Sequence, residues 1–286
     1  MDVVTRAHEL RGKRAKLASP VGFVATMGAL HAGHASLITR ARQDCASVVV
    51  SVFVNPLQFG PSEDFSAYPR RTNDDRQLLE RLGADILYSP DASEMYPNQP
   101  EVLVEPTTIA QHFEGERRPG HFRGVATVVL KLFHLVEPHR AYFGEKDAQQ
   151  LAVIKRMVSD LDLRMEIVAC PTLREPDGLA LSSRNAYLST DERRAAPNLY
   201  AALRSIADQL VAGQRDVATA LASAQKLLEP LQKDYLGVVR PDAFLPLETA
   251  PAASGLVAVG AAYAGRTRLI DNVKVQTPAD QEMVQG

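Results

Sequence analysis

Two histidines, His31 and His34, stand three residues apart in the run Thr26-Met27-Gly28-Ala29-Leu30-His31-Ala32-Gly33-His34. The run follows a short apolar stretch, and Gly28 and Gly33 permit close backbone approach. His34 falls at a predicted helix start, where N–H groups and the helix dipole favour an anion such as phosphate. Two imidazoles there can donate to phosphate oxygens and follow the charge that builds up during phosphoryl or nucleotidyl transfer. The same spacing suits two ligands of a metal, but a third is not evident nearby, and no metal site is assigned. A helix cap with incidental histidines is the remaining alternative. Neither Gly-x-x-x-x-Gly-Lys-Ser/Thr nor Gly-x-Gly-x-x-Gly occurs, so a P-loop or ordinary dinucleotide fingerprint is unsupported.

Three other polar segments carry residues suited to related work. Asn55-Pro56-Leu57-Gln58-Phe59-Gly60-Pro61 offers Gln58, whose amide has both a donor and an acceptor for a ligand bearing hydroxyl and carboxylate groups. Asn-Pro also marks plain turns. Gly144-Glu145-Lys146-Asp147-Ala148-Gln149-Gln150 supplies a lysine to neutralise phosphate and an aspartate for ribose hydroxyls or Mg²⁺, or else a charged loop opening a helix. Leu181-Ser182-Ser183-Arg184-Asn185, preceded by Arg174-Glu175-Pro176-Asp177-Gly178, offers two hydroxyls and a guanidinium able to clamp a polyphosphate, or a Ser-rich turn. Glu114 to His121 holds Gly115, Arg117, Arg118, Pro119 and Gly120 without hydrophobic periodicity, and reads as a mobile wall of a site or an exposed basic loop.

The elements that must position these residues follow from hydrophobic patterning. Strands are expected at Val21–Ala25, Ser47–Val54, Ala84–Tyr88, Arg140–Phe143 and Met165–Ala169. Helices are expected at about His34–Asp44, Asn73–Leu82, Val125–Val136 and Asp147–Asp160. Ser47 to Val54 is apolar almost throughout, as in a strand covered on both faces. Such alternation predicts an α/β fold with a doubly wound parallel sheet, whose ligands gather at the carboxyl ends of the strands. After Pro171 the order changes to helices at Ser189–Ala212 and Asp216–Leu228, then strands at Tyr235–Val239, Leu256–Tyr263 and Arg268–Val275. The division predicted is residues 1–172, a nucleotide-binding domain, and 173–286, a smaller α+β domain.

Composition bounds the partners. The chain has 286 residues, a formal net charge of −2 and 45% hydrophobic residues. Near-neutral charge argues against a protein built to coat nucleic acid. Cys45 and Cys170 form no disulfide framework and suit a reducing cytoplasm. The longest apolar run is too short to span a membrane, so a soluble cytoplasmic protein is expected.

Taken in order, Thr-Met-Gly-Ala-Leu-His-Ala-Gly-His, Phe-Val-Asn-Pro-Leu-Gln-Phe, Arg-Pro-Gly-His-Phe-Arg-Gly-Val, Phe-Gly-Glu-Lys-Asp-Ala-Gln-Gln-Leu and Asp-Gly-Leu-Ala-Leu-Ser-Ser-Arg-Asn resemble the pantoate–β-alanine ligase (pantothenate synthetase) family. The likeness extends to Arg-Leu-Ile-Asp-Asn at 268–272. His-x-Gly-His alone is shared with other nucleotidyltransferases and class I aminoacyl-tRNA synthetases, whereas five motifs in order are specific. The resemblance implies a Rossmann-like N-terminal domain with a C-terminal lid, usually as a homodimer. It implies attack of the pantoate carboxylate on MgATP, then aminolysis of pantoyl adenylate by β-alanine, with no tightly bound organic cofactor. By motif it places Met27, Gly28, Ala29, Leu30, His31, Ala32, Gly33 and His34 against ATP, with His34 the catalytic proton donor. Gly144, Glu145, Lys146, Asp147, Leu173, Leu181, Ser182, Ser183 and Arg184 would also hold nucleotide. Gln58 would touch pantoate and β-alanine, and Gln150 pantoate. Ala25 stands where the family usually has proline, Ala32 where an acidic residue is frequent, and Leu173 where valine is common.

Two other readings follow from the same residues. A tRNA-charging enzyme would need an RNA-binding surface, which neither the net charge nor the ~110 residues after the junction advertise, a length typical of one small domain. A regulatory protein that kept the pocket and lost catalysis would not need His31, His34, Lys146 and Arg184 together.

Overall fold

The structure is a computed structural model and describes residues 1–61, 63, 65–251 and 255–276. It divides into two compact units, one of Met1–Glu145 with Val153–Pro171 and one of Lys146–Ala152 with the chain from Thr172 onward. The stretch 277–286, expected in the C-terminal domain, lies outside the described residues.

The first unit is built on six strands: β1 (Asp2–Val4), β2 (Val21–Thr26), β3 (Ser47–Val52), β4 (Ile86–Tyr88), β5 (Arg140–Gly144) and β6 (Glu166–Cys170). All pair parallel, in the order β1-β4-β3-β2-β5-β6. Helices α1 (Ala7–Arg14), α2 (Ala32–Asp44), α3 (Thr72–Arg81), α4 (Ala92–Met95), α5 (Glu114–Arg117), α6 (His121–Val136) and α7 (Ala148–Asp160) connect the strands. Val48, Val49 and Val50 of β3 are fully buried, which explains the unbroken apolar run: this central strand has no solvent face. Leu37, Ile38 and Ala41 recur at helical spacing on α2 and pack with Val24, Val48 and Val50. The strand expected to reach Val54 ends at Val52, because the backbone turns into the Pro56–Gln58 3₁₀ turn capped by Asn55. The short pair β1 and α1 were not anticipated. A three-residue strand is too brief to show alternation, and it forms by pairing with β4 at the sheet edge.

The second unit carries α8 (Thr190–Ala195), α9 (Asn198–Val211), α10 (Val217–Gln225) and an antiparallel sheet of β7 (Gln232–Val239), β8 (Leu256–Ala264) and β9 (Thr267–Val275). The single helix expected over Ser189–Ala212 is two. Ser189 and Glu192 form a capping box for α8, and Pro197 sits at the N-cap of α9. Leu199, Leu203, Ile206 and Leu210 make one face of α9 and pack on Val238, Ala258, Leu269 and Val273 of the sheet. Among the described residues, no helix is long and apolar enough to cross a membrane.

Candidate active site

Strand order locates the crevice within the first unit. β2 is flanked by β3 on one side and β5 on the other, so the chain changes direction across the sheet between β2 and β5. Loops at the carboxyl ends of those two strands therefore flank the ligand position expected for this architecture. They are the loop after Thr26 and the loop after Gly144, as the motifs required. A separate cavity of about 360 Å³, lined by residues including Arg14, His139 and Arg164, lies before β5 and β6, at the amino ends of the strands.

The loop after β2 is held in an unusual shape. Gly28 and Ala29 have φ of +85° and +51°, a region costly for side chains. A Cβ on Gly28 would lie 3.0 Å from Asp75 Oδ2 and 3.1 Å from Val52 Cγ1, so a side chain here would crowd both groups as well as strain φ. Asp75, on the first turn of α3, explains how the shape persists. Its carboxylate accepts from the N–H of Ala29 at 2.9 Å and of Leu30 at 2.7 Å. Burial pushes the Asp75 carboxyl above its ordinary value, and the two N–H groups oppose that push by favouring the anion.

At the end of this loop the two histidines cap α2. His31 is the N-cap, and its Nδ1 accepts from Gly33 N–H at 3.1 Å. His34 Nδ1 accepts from His31 N–H at 3.3 Å, completing a capping box made of two imidazoles. Acceptance at Nδ1 fixes the neutral tautomer, so each ring carries its proton on Nε2. The ring centroids are 4.2 Å apart. Two half-buried N–H donors beside a helix N-terminus constitute an arrangement for anionic oxygen. The helix cap that the sequence left open as an alternative is present, and both histidines make it.

Gln58 lies in the same unit, buried, with its amide N–H on Met27 Sδ at 3.2 Å and its carbonyl oxygen accepting from Asn55 Nδ2 at 3.0 Å. A thioether is a weak acceptor, so this contact holds the amide N–H only weakly. The Arg-Pro-Gly-His-Phe-Arg-Gly-Val motif proves to be the seat of this glutamine. Gly124 lets α6 approach so closely that a Cβ would lie 2.3 Å from Leu57 O, and its own carbonyl accepts from Asn55 Nδ2 at 3.1 Å. His121 Nδ1 donates to the main-chain carbonyl of Gln58 at 2.9 Å, and its Nε2 accepts from Arg118 at 3.0 Å. Arg118 also grips Glu63 through two nitrogens, at 2.9 and 2.6 Å. Within 114–121, residues 114–117 form α5 and His121 opens α6; Glu114 and His121 are buried and Arg118 is tethered, whereas Glu116, Arg117 and Pro119 are exposed.

His121 is neutral at ordinary pH. Burial foremost, then the nearby Arg118 charge, lowers its pKa to about 4. The unfolded chain takes up this proton near pH ~6.5, so between there and pH 4 the unfolded state binds more protons and stability rises with pH. Thermal unfolding should therefore show the wild type losing more stability from pH 7 to pH 5 than His121→Gln does. Equal losses in the two proteins would remove His121 as the cause.

Gly144 and Glu145 close the first unit's stretch at the end of β5, and the second unit holds Lys146, Asp147, Gln150, Leu173 and Leu181 to Arg184. Lys146 and Asp147 lie in the turn opening α7, with Nζ 3.7 Å from Oδ1, and Gln150 follows half-buried on that helix. Leu173 and Leu181 face each other across a small hairpin in which Leu181 N–H donates to Leu173 O at 3.0 Å. Leu173 is exposed, whereas Leu181, Ser182, Ser183 and Arg184 are half-buried. Ser182 caps the 3₁₀ turn Ser183–Tyr187 by accepting from Arg184 N–H at 3.3 Å. The hairpin is tied to β9 by Arg174, which donates twice to Asp271, at 2.6 and 2.9 Å.

Comparison with known proteins decides the family. Residues 2–274 match the family model described as pantoate-beta-alanine ligase. The chain belongs to the pantoate–β-alanine ligase family. It is 51% identical to the pantothenate synthetase of Roseiflexus sp., covering 95% of this chain and 98% of that one. It is 52% identical to the bifunctional pantoate ligase/cytidylate kinase of Thermosynechococcus vestitus, where 89% of this chain matches, and it spans about half (50%) of that longer protein. Among solved structures, pantothenate synthetase from Thermus thermophilus superposes with a TM-score of 0.91 at 49% identity, covering 97% of this chain and all of that one. The pantoate-beta-alanine ligase of Francisella tularensis, complexed with beta-gamma ATP and beta-alanine, gives 0.80 at 35% identity, covering 97% and 98%. The family read from the motifs and the α/β fold read from the strand–helix alternation are therefore correct. Asp75, Asn55, His121 and Gly124 were not among the residues assigned a role. Of these, Asp75 carried only the look of an acid in a helix's first turn, and nothing in its spacing points to the loop it holds.

Proposed function

We propose that this chain condenses pantoate with β-alanine, driven by cleavage of ATP to AMP and pyrophosphate. A pantoate carboxylate oxygen attacks the α-phosphorus, the bond to the β-phosphate oxygen breaks, and pantoyl adenylate forms. The β-alanine nitrogen then attacks the acyl carbon, loses a proton, and AMP leaves with the bridging oxygen. The observation that carries this reading is the paired-histidine cap: two imidazoles accepting through Nδ1 at the helix start that follows β2, the strand beside which the sheet order reverses. Their Nε2–H donors suit the charge that gathers on the leaving pyrophosphate, and the His34 N–H, as a hydrogen-bond donor, is the group that follows it.

The other motif residues take the roles the resemblance implies. Met27 to His34, Gly144 to Asp147, Leu173 and Leu181 to Arg184 hold the nucleotide; Gln58 serves pantoate and β-alanine, and Gln150 serves pantoate. Mg²⁺ enters with ATP as substrate. Among the described residues, no group of three or more His, Cys, Asp or Glu side chains is placed to hold a metal. We further propose residues 173–286 as a lid, a homodimeric assembly and a cytoplasmic location, on family grounds.

The test is substrate dependence. ATP with pantoate should release pyrophosphate, and addition of β-alanine should yield the amide with AMP. Pyrophosphate release that ignores pantoate, or that needs another acid or an RNA, would overturn the proposal.

A further inference from the structure

The C-terminal motif Arg-Leu-Ile-Asp-Asn ends in two residues that the proposed reaction does not use. Asp271 and Asn272 lie on β9 and are both buried. Asp271 meets Arg174, whose guanidinium also donates to Gly178 O and to Asn272 O, each at 3.0 Å, and stacks 4.0 Å from the Tyr200 ring centroid. Asn272 N–H donates to Asp271 Oδ1 at 2.8 Å. The backbone of Asn272 is therefore fixed at its nitrogen by Asp271 and at its oxygen by Arg174. Its side chain reaches out of this fixed point, and Nδ2 donates to the carbonyl oxygen of Lys146 at 2.9 Å.

We infer that Asn272 is a positioning residue for adenylate formation: it holds the Lys146 main chain from a rigid strand and so fixes where the Lys146 ammonium can reach. The inference rests on the reading of Lys146 as a phosphate contact. Its physical basis is that a lysine stem with four rotatable bonds places charge usefully only if its root is still. Lys146 sits in a short 3₁₀ turn, and such a turn leaves part of its carbonyls to outside donors. One donor is this amide. Arg174 belongs to the same scaffold, because the hairpin it closes, bridged between Arg174 and Ala180, leads directly into Ser182–Arg184.

Half-reaction kinetics test it. Asn272→Ala should slow pyrophosphate formation about tenfold, the scale of one lost hydrogen bond, while consumption of supplied pantoyl adenylate with β-alanine changes less than about twofold. Combined with Lys146→Ala, it should add little, because the second change acts through the first residue. A buried amide with a purely structural role would depress both half-reactions alike and would add fully to Lys146→Ala; either result overturns the inference. Asn272→Leu, which keeps the side-chain shape without the donor, carries the same expectations if the alanine variant does not accumulate. If Lys146→Ala alone leaves pyrophosphate formation intact, the reading of Lys146 fails, and the inference falls with it. A selective loss in Lys146→Ala beside unchanged Asn272→Ala would sink the positioning role alone.

Discussion

His34→Ala is expected to slow pyrophosphate formation by about 10²–10³, roughly 2.7–4 kcal/mol, the usual effect of removing one preorganised donor to developing charge. The geometry supports a loss of that size. His34 uses Nδ1 for the His31 N–H, so its proton is committed to Nε2, and no reorganisation is needed as charge builds. The fold should survive: the substitution removes one cap interaction on α2, worth about 0.5–2 kcal/mol, while Leu37, Ile38 and Ala41 still anchor the helix. Adding His31→Ala should cost less than the sum of the two single losses, since rings 4.2 Å apart act on one phosphate chain. Rapid-quench measurement of pyrophosphate decides it. Near-normal turnover of folded His34→Ala would remove this residue from the chemistry.

Lys146→Ala is expected to separate the two half-reactions. A charge-assisted contact is worth about 1.5–3 kcal/mol, up to the order of a hundredfold in rate, and the Lys146 side chain is only 19% exposed. The neighbouring Asp147, at 3.7 Å and 45% exposed, binds that ammonium too weakly to compete with a polyphosphate. Pyrophosphate formation should therefore collapse, while supplied pantoyl adenylate is still consumed with β-alanine comparatively well. Gln58→Ala provides the contrast and should be poor in both assays, since an amide that orients both substrates is not replaced by water. Equal losses in both steps for Lys146→Ala would refute the division of labour.

What the sequence made legible was whatever is local. The His31/His34 cap is a three-residue spacing, and β3 announces its double burial by six consecutive strand residues without a charged side chain. The motifs around Lys146 and Ser182–Arg184, which carry the family resemblance, were legible because they are written in adjacent residues. The supports were not readable, because each acts across a long sequence separation. Asp75 holds Ala29 and Leu30 from α3, His121 holds Gln58 from α6, and Asn272 holds Lys146 from the last strand. In a chain read alone, Asp75 is an ordinary first-turn acid, and Gly124 is a helix glycine whose need for space shows only once Leu57 is packed against it. Helix boundaries failed for a similar reason: Pro197 is compatible with a helix start, and only the capped α8 before it shows that a new helix begins there.

The central claim is that an acyl adenylate forms between the carboxylate and ATP, and the transfer of a labelled oxygen tests it most directly. Pantoate carrying oxygen-18 in its carboxylate, turned over with ATP and β-alanine, should deliver one labelled oxygen to AMP. The oxygen that attacks the α-phosphorus leaves with it when the acyl carbon passes to nitrogen. Mass spectrometry of the AMP should show one label per turnover with the wild type. AMP without label, formed at the same rate as the amide, would contradict the adenylate and with it the role given to the histidine pair.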